Sequence, residues 1–273
     1  MLLKIKATDF NLEATLDSGQ VFGFVKCPDG TYEGMIGNVC VKLYQEGGFL
    51  YVQRDGKGIK ETSIRGYFDL SHDLETVYDS LCEDERLRPV YHQFKGLRVI
   101  QQDPWEALAC FIISSNNNIK RVRLIRQNLS KKFSGNPFKF PKPSEVAQSR
   151  EAELRELGLG YRAPFLLWAA KHLSEKPGSF DQIKRLGYEE AKLELTKFPG
   201  VGEKVADCTL LFGFQKYEAF PVDVWIARVM KKLYFRKQKV SEEKISNYAR
   251  KRWGNLAGYV QQYLYHGAKN GVL

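Results

Sequence analysis

The sequence predicts an α+β protein in which an N-terminal antiparallel β-sheet precedes a larger, all-helical body. Two observations predict it. Between about residues 20 and 55, short β-prone runs alternate with turn residues. After about residue 73, apolar residues recur at helical spacing to the end, apart from one Pro-rich passage, Asn136 to Pro143, that must be a loop. The division falls near residue 98, giving a sheet domain over 1–98 and a helical domain over 99–273. Neither part contains an internal repeat or a low-complexity tract.

The meander begins with Val21 to Lys26, turns at Pro28-Asp29-Gly30 and continues through Thr31 to Ile36. Gly37-Asn38 then leads into Val39 to Tyr44, and Gly47-Gly48 into Phe49 to Gln53, both pairs being residues that tolerate the positive φ of tight hairpins. In the helical body, Asp103 is placed to cap a helix ending at Ile113, with Pro104 at its first position and Glu106 closing a capping box. Asn118 to Phe133 follows. Ile119, Val122, Leu129 and Phe133 share one side, while Lys120, Arg121, Arg123, Arg126, Lys131 and Lys132 crowd the rest, a run that by itself reads as a solvated face. A helical pattern from Tyr188 to Lys197 stops at Pro199, a second runs on past Gly202 through Phe214, and a third spans Asp223 to Leu233.

At 273 residues and 43% apolar content the chain can bury a substantial core without staples. Its cysteines (Cys27, Cys40, Cys82, Cys110, Cys208) are odd in number, scattered and free of CxxC or CxxH spacing, which argues against a disulfide framework or a structural zinc site. No window approaches the roughly 20 apolar residues of a membrane span, and no export signal is visible. A soluble intracellular protein is expected, in cytoplasm or nucleoid if prokaryotic and in the nucleus if eukaryotic. The 42 Lys+Arg against 32 Asp+Glu leave a net charge of +10, which favours polyanionic partners by steering and counterion release. Charge alone does not specify nucleic acid.

The chemistry concentrates in Leu195-Thr196-Lys197-Phe198-Pro199-Gly200-Val201-Gly202-Glu203-Lys204-Val205-Ala206-Asp207-Cys208, with the hairpin near 195–208. Gly200 and Gly202 both suit a tight turn where backbone approaches something closely, and the restarted helix leaves amide donors able to hold a phosphate oxygen. Helix, glycine turn and helix make a helix-hairpin-helix, although an ordinary helical corner would look similar. Lys204 tips the balance. In the first turn of a helix the dipole disfavours an ammonium, so this lysine is badly placed to stabilise the helix and well placed as a nucleophilic amine. Further on, Phe220-Pro221-Val222-Asp223-Val224-Trp225 sets an aspartate among apolar residues at a helix start. Asp223 reads as an N-cap, and a rigidly held carboxylate near Lys204 could also stabilise positive charge developing on a sugar.

This hairpin, with its lysine and downstream aspartate, resembles the helix-hairpin-helix (HhH-GPD) DNA glycosylase superfamily. Leu16-Asp17-Ser18-Gly19-Gln20-Val21-Phe22, Ser114-Ser115-Asn116-Asn117-Asn118-Ile119, Leu157-Gly158-Leu159-Gly160-Tyr161-Arg162-Ala163, Lys204 to Cys208 and Ala257-Gly258-Tyr259-Val260-Gln261 narrow the resemblance to the 8-oxoguanine DNA glycosylase/AP lyase family. These blocks keep the family's order and span nearly the whole chain. By position, the resemblance implies Lys204 as nucleophile and Asp223 as the assisting carboxylate. The Gly19 carbonyl would accept the N7 hydrogen that only the oxidised base carries, Gln261 would read the Watson–Crick edge, Cys208 would stack on the base and Pro221 would line the pocket. Tyr265 stands where the family usually has Phe. Asn116 would fill the space left by the extruded nucleotide, Tyr161 would wedge beside the estranged base, and Arg162 and Arg121 would hydrogen-bond the opposite cytosine. Read alone, Asn116 to Asn118 is equally a polar helix junction, and Tyr161 a core cap.

Trp225 departs from the vertebrate-type pattern, which has His two residues after the catalytic aspartate. It leaves the contact of that imidazole with DNA absent or replaced, while Gly200 and Gly202 would approach the backbone. The implied mechanism is nucleotide flipping, attack of Lys204 at C1′, Schiff-base formation and β-elimination, on double-stranded DNA carrying 8-oxoguanine opposite cytosine, by a monomer without metal or redox cofactor. The family's iron–sulfur relatives carry a four-cysteine loop near the C-terminus; no cysteine follows Cys208, so no such cluster is expected. Hairpin carbonyls around Thr196, Phe198 and Val201 form a candidate site for a monovalent or calcium ion without side-chain ligands. Two rivals remain: an alkylpurine glycosylase of the same fold using Asp223 and water, against which Lys204 argues, and a non-catalytic protein using the hairpin as a clamp.

Overall fold

A computed structural model describes residues 1–54, 58–236 and 238–273. The sheet has five antiparallel strands, β1 (Leu2–Lys6), β2 (Val25–Lys26), β3 (Tyr32–Ile36), β4 (Val39–Glu46) and β5 (Phe49–Arg54), in the order β1-β5-β4-β3-β2. Its hairpins turn at Gly37 and at Gly47-Gly48, as the turn residues predict. Two features differ from the sequence reading. Leu2–Lys6 forms an unexpected edge strand on β5, with Ile5 buried against Leu50 while Lys4 and Lys6 face out. Of the expected strand from Val21 to Lys26, only Val25–Lys26 pairs with β3. The preceding residues are divided between two cores, since Val21 and Phe24 pack under the sheet and Phe22 packs against the helices. A stretch pulled both ways cannot keep the alternation a strand needs.

Four helices accompany the sheet: α1 (Leu12–Asp17), α2 (Glu61–Tyr67), α3 (Glu75–Glu83) and α4 (Arg88–Phe94). The body continues with α5 (Pro104–Ser114), α6 (Ile119–Ser134), α7 (Pro143–Ala147), α8 (Glu151–Leu154), α9 (Ala163–Glu175) and α10 (Ser179–Arg185). It closes with α11 (Tyr188–Thr196), α12 (Glu203–Phe214), α13 (Val224–Leu233), α14 (Glu242–Trp253) and α15 (Ala257–Lys269). The two cores interleave along the chain: Ile64, Phe68 and Ile100 belong under the sheet, whereas α3, α4, Leu97 and Val99 pack with the helical body. Among the described residues, no helix is long and apolar enough to cross a membrane.

The predicted cap of α5 forms: Asp103 accepts from Trp105 N and Glu106 N, both at 3.0 Å. α6 is capped as well, Asn118 Oδ1 accepting from Arg121 N at 3.0 Å. Glu106, however, does not turn back to close a capping box; it pairs with Arg126 at 2.7 Å. Arg126 in turn is buried rather than part of a solvated face, and its guanidinium also donates to the carbonyls of Pro137 (3.1 Å) and Phe138 (2.8 Å). The Pro-rich loop after α6 is thus tied down by a cation whose charge is paired and whose donors are satisfied, the condition for burying it.

α5 and α12 pack as the central antiparallel pair. Phe111 stacks on Phe212 with centroids 5.4 Å apart, Gly213 lies beside Pro104, and Lys204 reaches Ser114 at the opposite end. The seam between the cores is polar. Arg98 donates to the carbonyls of Asp9, Asp69 and His72, while the Asp69 carboxylate accepts from Tyr217 (2.7 Å) and Tyr259 (2.8 Å).

Candidate active site

The hairpin between α11 and α12 closes through Val201 N donating to Phe198 O at 3.0 Å. Gly200 adopts φ +78°, and a Cβ there would run into the Phe165 ring, so this position requires glycine. Gly202 does not share that constraint. It is extended, with open space where a Cβ would go, and caps α12 without a side chain, leaving the first amides of α12 uncapped by any side chain. Thr196, Phe198 and Val201 all lie on this hairpin, where the Phe198 carbonyl is already engaged by Val201. Behind the turn, Asp207 on α12 is buried and accepts from Tyr188 (2.6 Å) and Lys192 (3.2 Å) of α11, locking the two helices together. Burial raises its carboxyl above the usual range against the pull of Lys192.

Lys204, in the first turn of α12, is half-buried. Its Nζ donates to Ser114 Oγ at 3.0 Å and lies 5.0 Å from the centre of the Phe111 ring. Ser114 Oγ gives its own proton to Phe111 O at 2.8 Å, so it meets the amine as an acceptor. One turn on, Cys208 is buried, and its thiol is pushed up to about 12 by burial, with Lys204 opposing. It stays a neutral, apolar wall at neutral pH.

Asp223 caps α13 as expected, Oδ1 accepting from Trp225 N (3.0 Å) and Ile226 N (2.9 Å). Its Oδ2 has no hydrogen-bond partner among the described residues. Asp223 and Lys204 line one cavity of about 590 Å³. The same wall carries Gly19, Asn116, Cys208, Pro221, Gln261 and Tyr265, together with Gly200 and Gly202 at the hairpin. Gln261 Nε2 donates to Pro221 O at 3.1 Å, and its buried Oε1 has no partner. Such an atom is costly to leave bare and suits a donor brought by a ligand. Tyr265 is held above the ordinary phenol range by burial, with the Asp223 carboxylate adding to it.

Tyr161, Arg162, Arg121 and Trp225 do not line the cavity. Asn116, which does, takes φ +48° and donates to the exposed Tyr161 hydroxyl at 3.2 Å, which places the pair at the rim. Arg162, expected to hydrogen-bond the opposite cytosine, is buried, and its guanidinium donates to the carbonyls of Ser115 and Asn116. Here it shapes the loop that carries Asn116. Arg121 is exposed on α6 and Trp225 is 38% exposed with the Arg228 guanidinium 5.3 Å from its ring; neither lines the cavity. Sequence reasoning gave no role to Ser114 or Phe111. Their spacing of three on one helix, just before the Asn run, was the available signal.

A glycine hairpin feeding a lysine, a helix-capping aspartate on the same cavity large enough for a purine and a basic chain define a DNA repair protein of the helix-hairpin-helix class. Residues 2–108 match the 8-oxoguanine DNA glycosylase N-terminal domain and residues 109–255 match the HhH-GPD superfamily base excision DNA repair protein. The chain belongs to this 8-oxoguanine DNA glycosylase family of the HhH-GPD superfamily. It is similar to a probable N-glycosylase/DNA lyase of Methanothermobacter thermautotrophicus, 32% identical over 99% of this chain and 97% of the relative. It also resembles the N-glycosylase/DNA lyase OGG1 of Arabidopsis thaliana, 30% identical over 96% of this chain and 78% of the relative. Among solved structures, the Clostridium acetobutylicum 8-oxoguanine glycosylase/lyase in complex with double-stranded DNA containing cytosine opposite 8-oxoguanine superposes with a TM-score of 0.90 at 31% identity, covering 100% of this chain and 99% of that one.

Proposed function

We propose that the chain is a bifunctional glycosylase/AP lyase that excises 8-oxoguanine, and related oxidised purines, from duplex DNA with cytosine opposite. The observation that carries the reading is that Lys204 and Asp223 line one cavity large enough for a purine. The target nucleotide leaves the stack, and Asn116 and Tyr161 occupy the gap. Lys204 attacks C1′ and the base departs with the glycosidic electron pair. Asp223 Oδ2 stabilises the positive charge that develops on the sugar, its other oxygen being fixed by the helix cap. The aminal opens to a Schiff base, and loss of a C2′ proton expels the 3′ phosphate. In the pocket, Gly19 O accepts from N7–H, Gln261 reads the base edge, and Cys208 and Tyr265 pack on its faces. The Arg228 guanidinium, 5.3 Å from the Trp225 ring, supplies a contact to the DNA backbone in place of the family's imidazole.

The test is borohydride trapping on duplex with 8-oxoguanine opposite cytosine. A covalent adduct forms with the parent chain and is lost in Lys204→Gln. Base release without an adduct in the parent would instead favour an alkylpurine-type enzyme using water, and binding alone a clamp. Similarity to the Archaeoglobus fulgidus 3-methyladenine DNA glycosylase, at 23% identity, concerns the fold alone.

A further inference from the structure

The carbonyl of Gly19 sits between two peptide groups that are each held by a glutamine from the helical body. On one side, Gln262 Nε2 of α15 donates to Ser18 O at 3.1 Å; on the other, Gln102 Nε2 donates to Gln20 O at 2.7 Å. Gln20 is itself anchored, donating to Thr15 O (3.1 Å), Ser18 Oγ (2.9 Å) and Arg98 O (2.8 Å) while accepting from Ile100 N (2.7 Å). Ser18, Gln20, Gln102 and Gln262 are all buried. The Gly19 oxygen accepts no hydrogen bond from the described residues. Gly19 takes φ +81°, a turn that aims its peptide independently of its neighbours, and both Gly19 and Gln262 line the cavity.

A lone carbonyl separates a purine bearing hydrogen at N7 from one bearing a lone pair only if its direction is fixed. Hydrogen bonds weaken steeply with misalignment, and a carbonyl free to swing would also escape repulsion by the wrong base. Clamping the peptide on either side while leaving the middle oxygen bare supplies that rigidity. We propose that Gln102 and Gln262 are positioning residues that brace the Gly19 carbonyl and thereby set discrimination between 8-oxoguanine and guanine. The inference rests on the reading of the pocket given above.

The test uses Gln262→Met and Gln102→Met, which keep an unbranched chain of similar length but remove the donor. For the parent, both variants and their combination, three quantities are measured. They are single-turnover excision of 8-oxoguanine opposite cytosine, binding preference for the lesion duplex over undamaged guanine, and borohydride-trapped adduct at a pre-formed abasic site, where no base is read. Each variant lowers the lesion preference by about tenfold, and excision falls further than abasic-site adduct formation, because one oriented hydrogen bond is weakened while Lys204 is untouched. The double variant loses little more than either single one, since both act on the same carbonyl. Unchanged preference in both single variants overturns the brace, as does a parallel fall of excision and abasic adduct, which marks general destabilisation. A parent chain that traps at abasic sites yet shows no lesion preference sinks the pocket reading itself, a result distinct from either.

Discussion

The observed cap and the proposed electrostatic role of Asp223 are separated by a pair of substitutions. Its Oδ1 caps α13 through the amides of Trp225 and Ile226, and the residue lines the cavity shared with Lys204. Asn caps helices as well as Asp does, so Asp223→Asn keeps an oxygen for both amides and removes only the charge, whereas Asp223→Ala removes both. The cap is worth about 1 kcal/mol, which in a chain of this size is about 2 °C in Tm. The chemistry operates on a larger scale: deleting one preorganised electrostatic group from a water-poor site costs about two to three orders of magnitude in rate. In thermal melts, Asp223→Asn therefore tracks the parent and Asp223→Ala falls about 2 °C lower, while both excise 8-oxoguanine at least about a hundredfold more slowly in single turnover. An Asn variant retaining more than about a third of the parent rate would refute the electrostatic role. An Asn variant melting as low as the Ala variant would refute the assignment of Oδ1 to the cap.

Two further substitutions probe the scaffold. Arg126→Met leaves Glu106, itself only 23% exposed, without its partner and strips the carbonyls of Pro137 and Phe138 of donors. The loss is about 3 kcal/mol by chemical denaturation, and adding Glu106→Met restores much of it, because the stranded charge rather than the missing bond is what destabilises; a single-variant loss under about 1 kcal/mol would contradict this. His266 is held down to about 4 by burial, with Lys269 adding to the effect. The unfolded chain takes up a proton as pH falls below about 6.5 while the folded one does so only near 4, so stability declines through that window by up to about 3 kcal/mol. His266→Gln flattens the slope of stability against pH there, leaving the smaller contribution of His72, which burial also lowers; an unaltered slope would show that the imidazole is not the group responsible.

The parts of the molecule that were legible in the sequence are those whose cause is local. A Pro-Gly-x-Gly break, an aspartate before an apolar run and glycine pairs between β-prone segments act within a few residues, and the hairpin, the caps and the β3-β4-β5 meander followed. What escaped depends on partners distant in sequence. The edge strand Leu2–Lys6 is defined by β5, some forty residues on. Arg126 looks like one more solvated cation until the carbonyls of the loop beyond its helix are in place around it. Nothing beside Arg162 in the sequence announces that the Ser115 and Asn116 carbonyls will accept from its guanidinium. Gly202 was grouped with Gly200 by spacing, yet only Gly200 needs the left-handed region. Lys204, Asp223, Gly19, Asn116, Cys208, Pro221, Gln261 and Tyr265 come together on one cavity although they are far apart in sequence, because the resemblance supplied the long-range information that composition and periodicity lack.

The cavity draws on both sides of the molecule: Gly19 comes from the turn after α1, Lys204 and Cys208 from the hairpin helix, and Gln261 and Tyr265 from α15. Any sliding of one core over the other would therefore move the Gly19 carbonyl relative to Lys204. An apolar seam would resist separation but not sliding, because burial is nearly indifferent to small lateral shifts. A seam of directional bonds resists both. Arg98 spreads its donors over the carbonyls of Asp9, Asp69 and His72, Asp69 takes the hydroxyls of Tyr217 and Tyr259, and the glutamines grip the peptides flanking Gly19. Buried polar groups of this kind add little to net stability, since each bond replaces one to water. Their presence in the seam is better explained by register: they hold the Gly19 edge and the Lys204 amine in one fixed relation, which the proposed discrimination of a single added hydrogen requires.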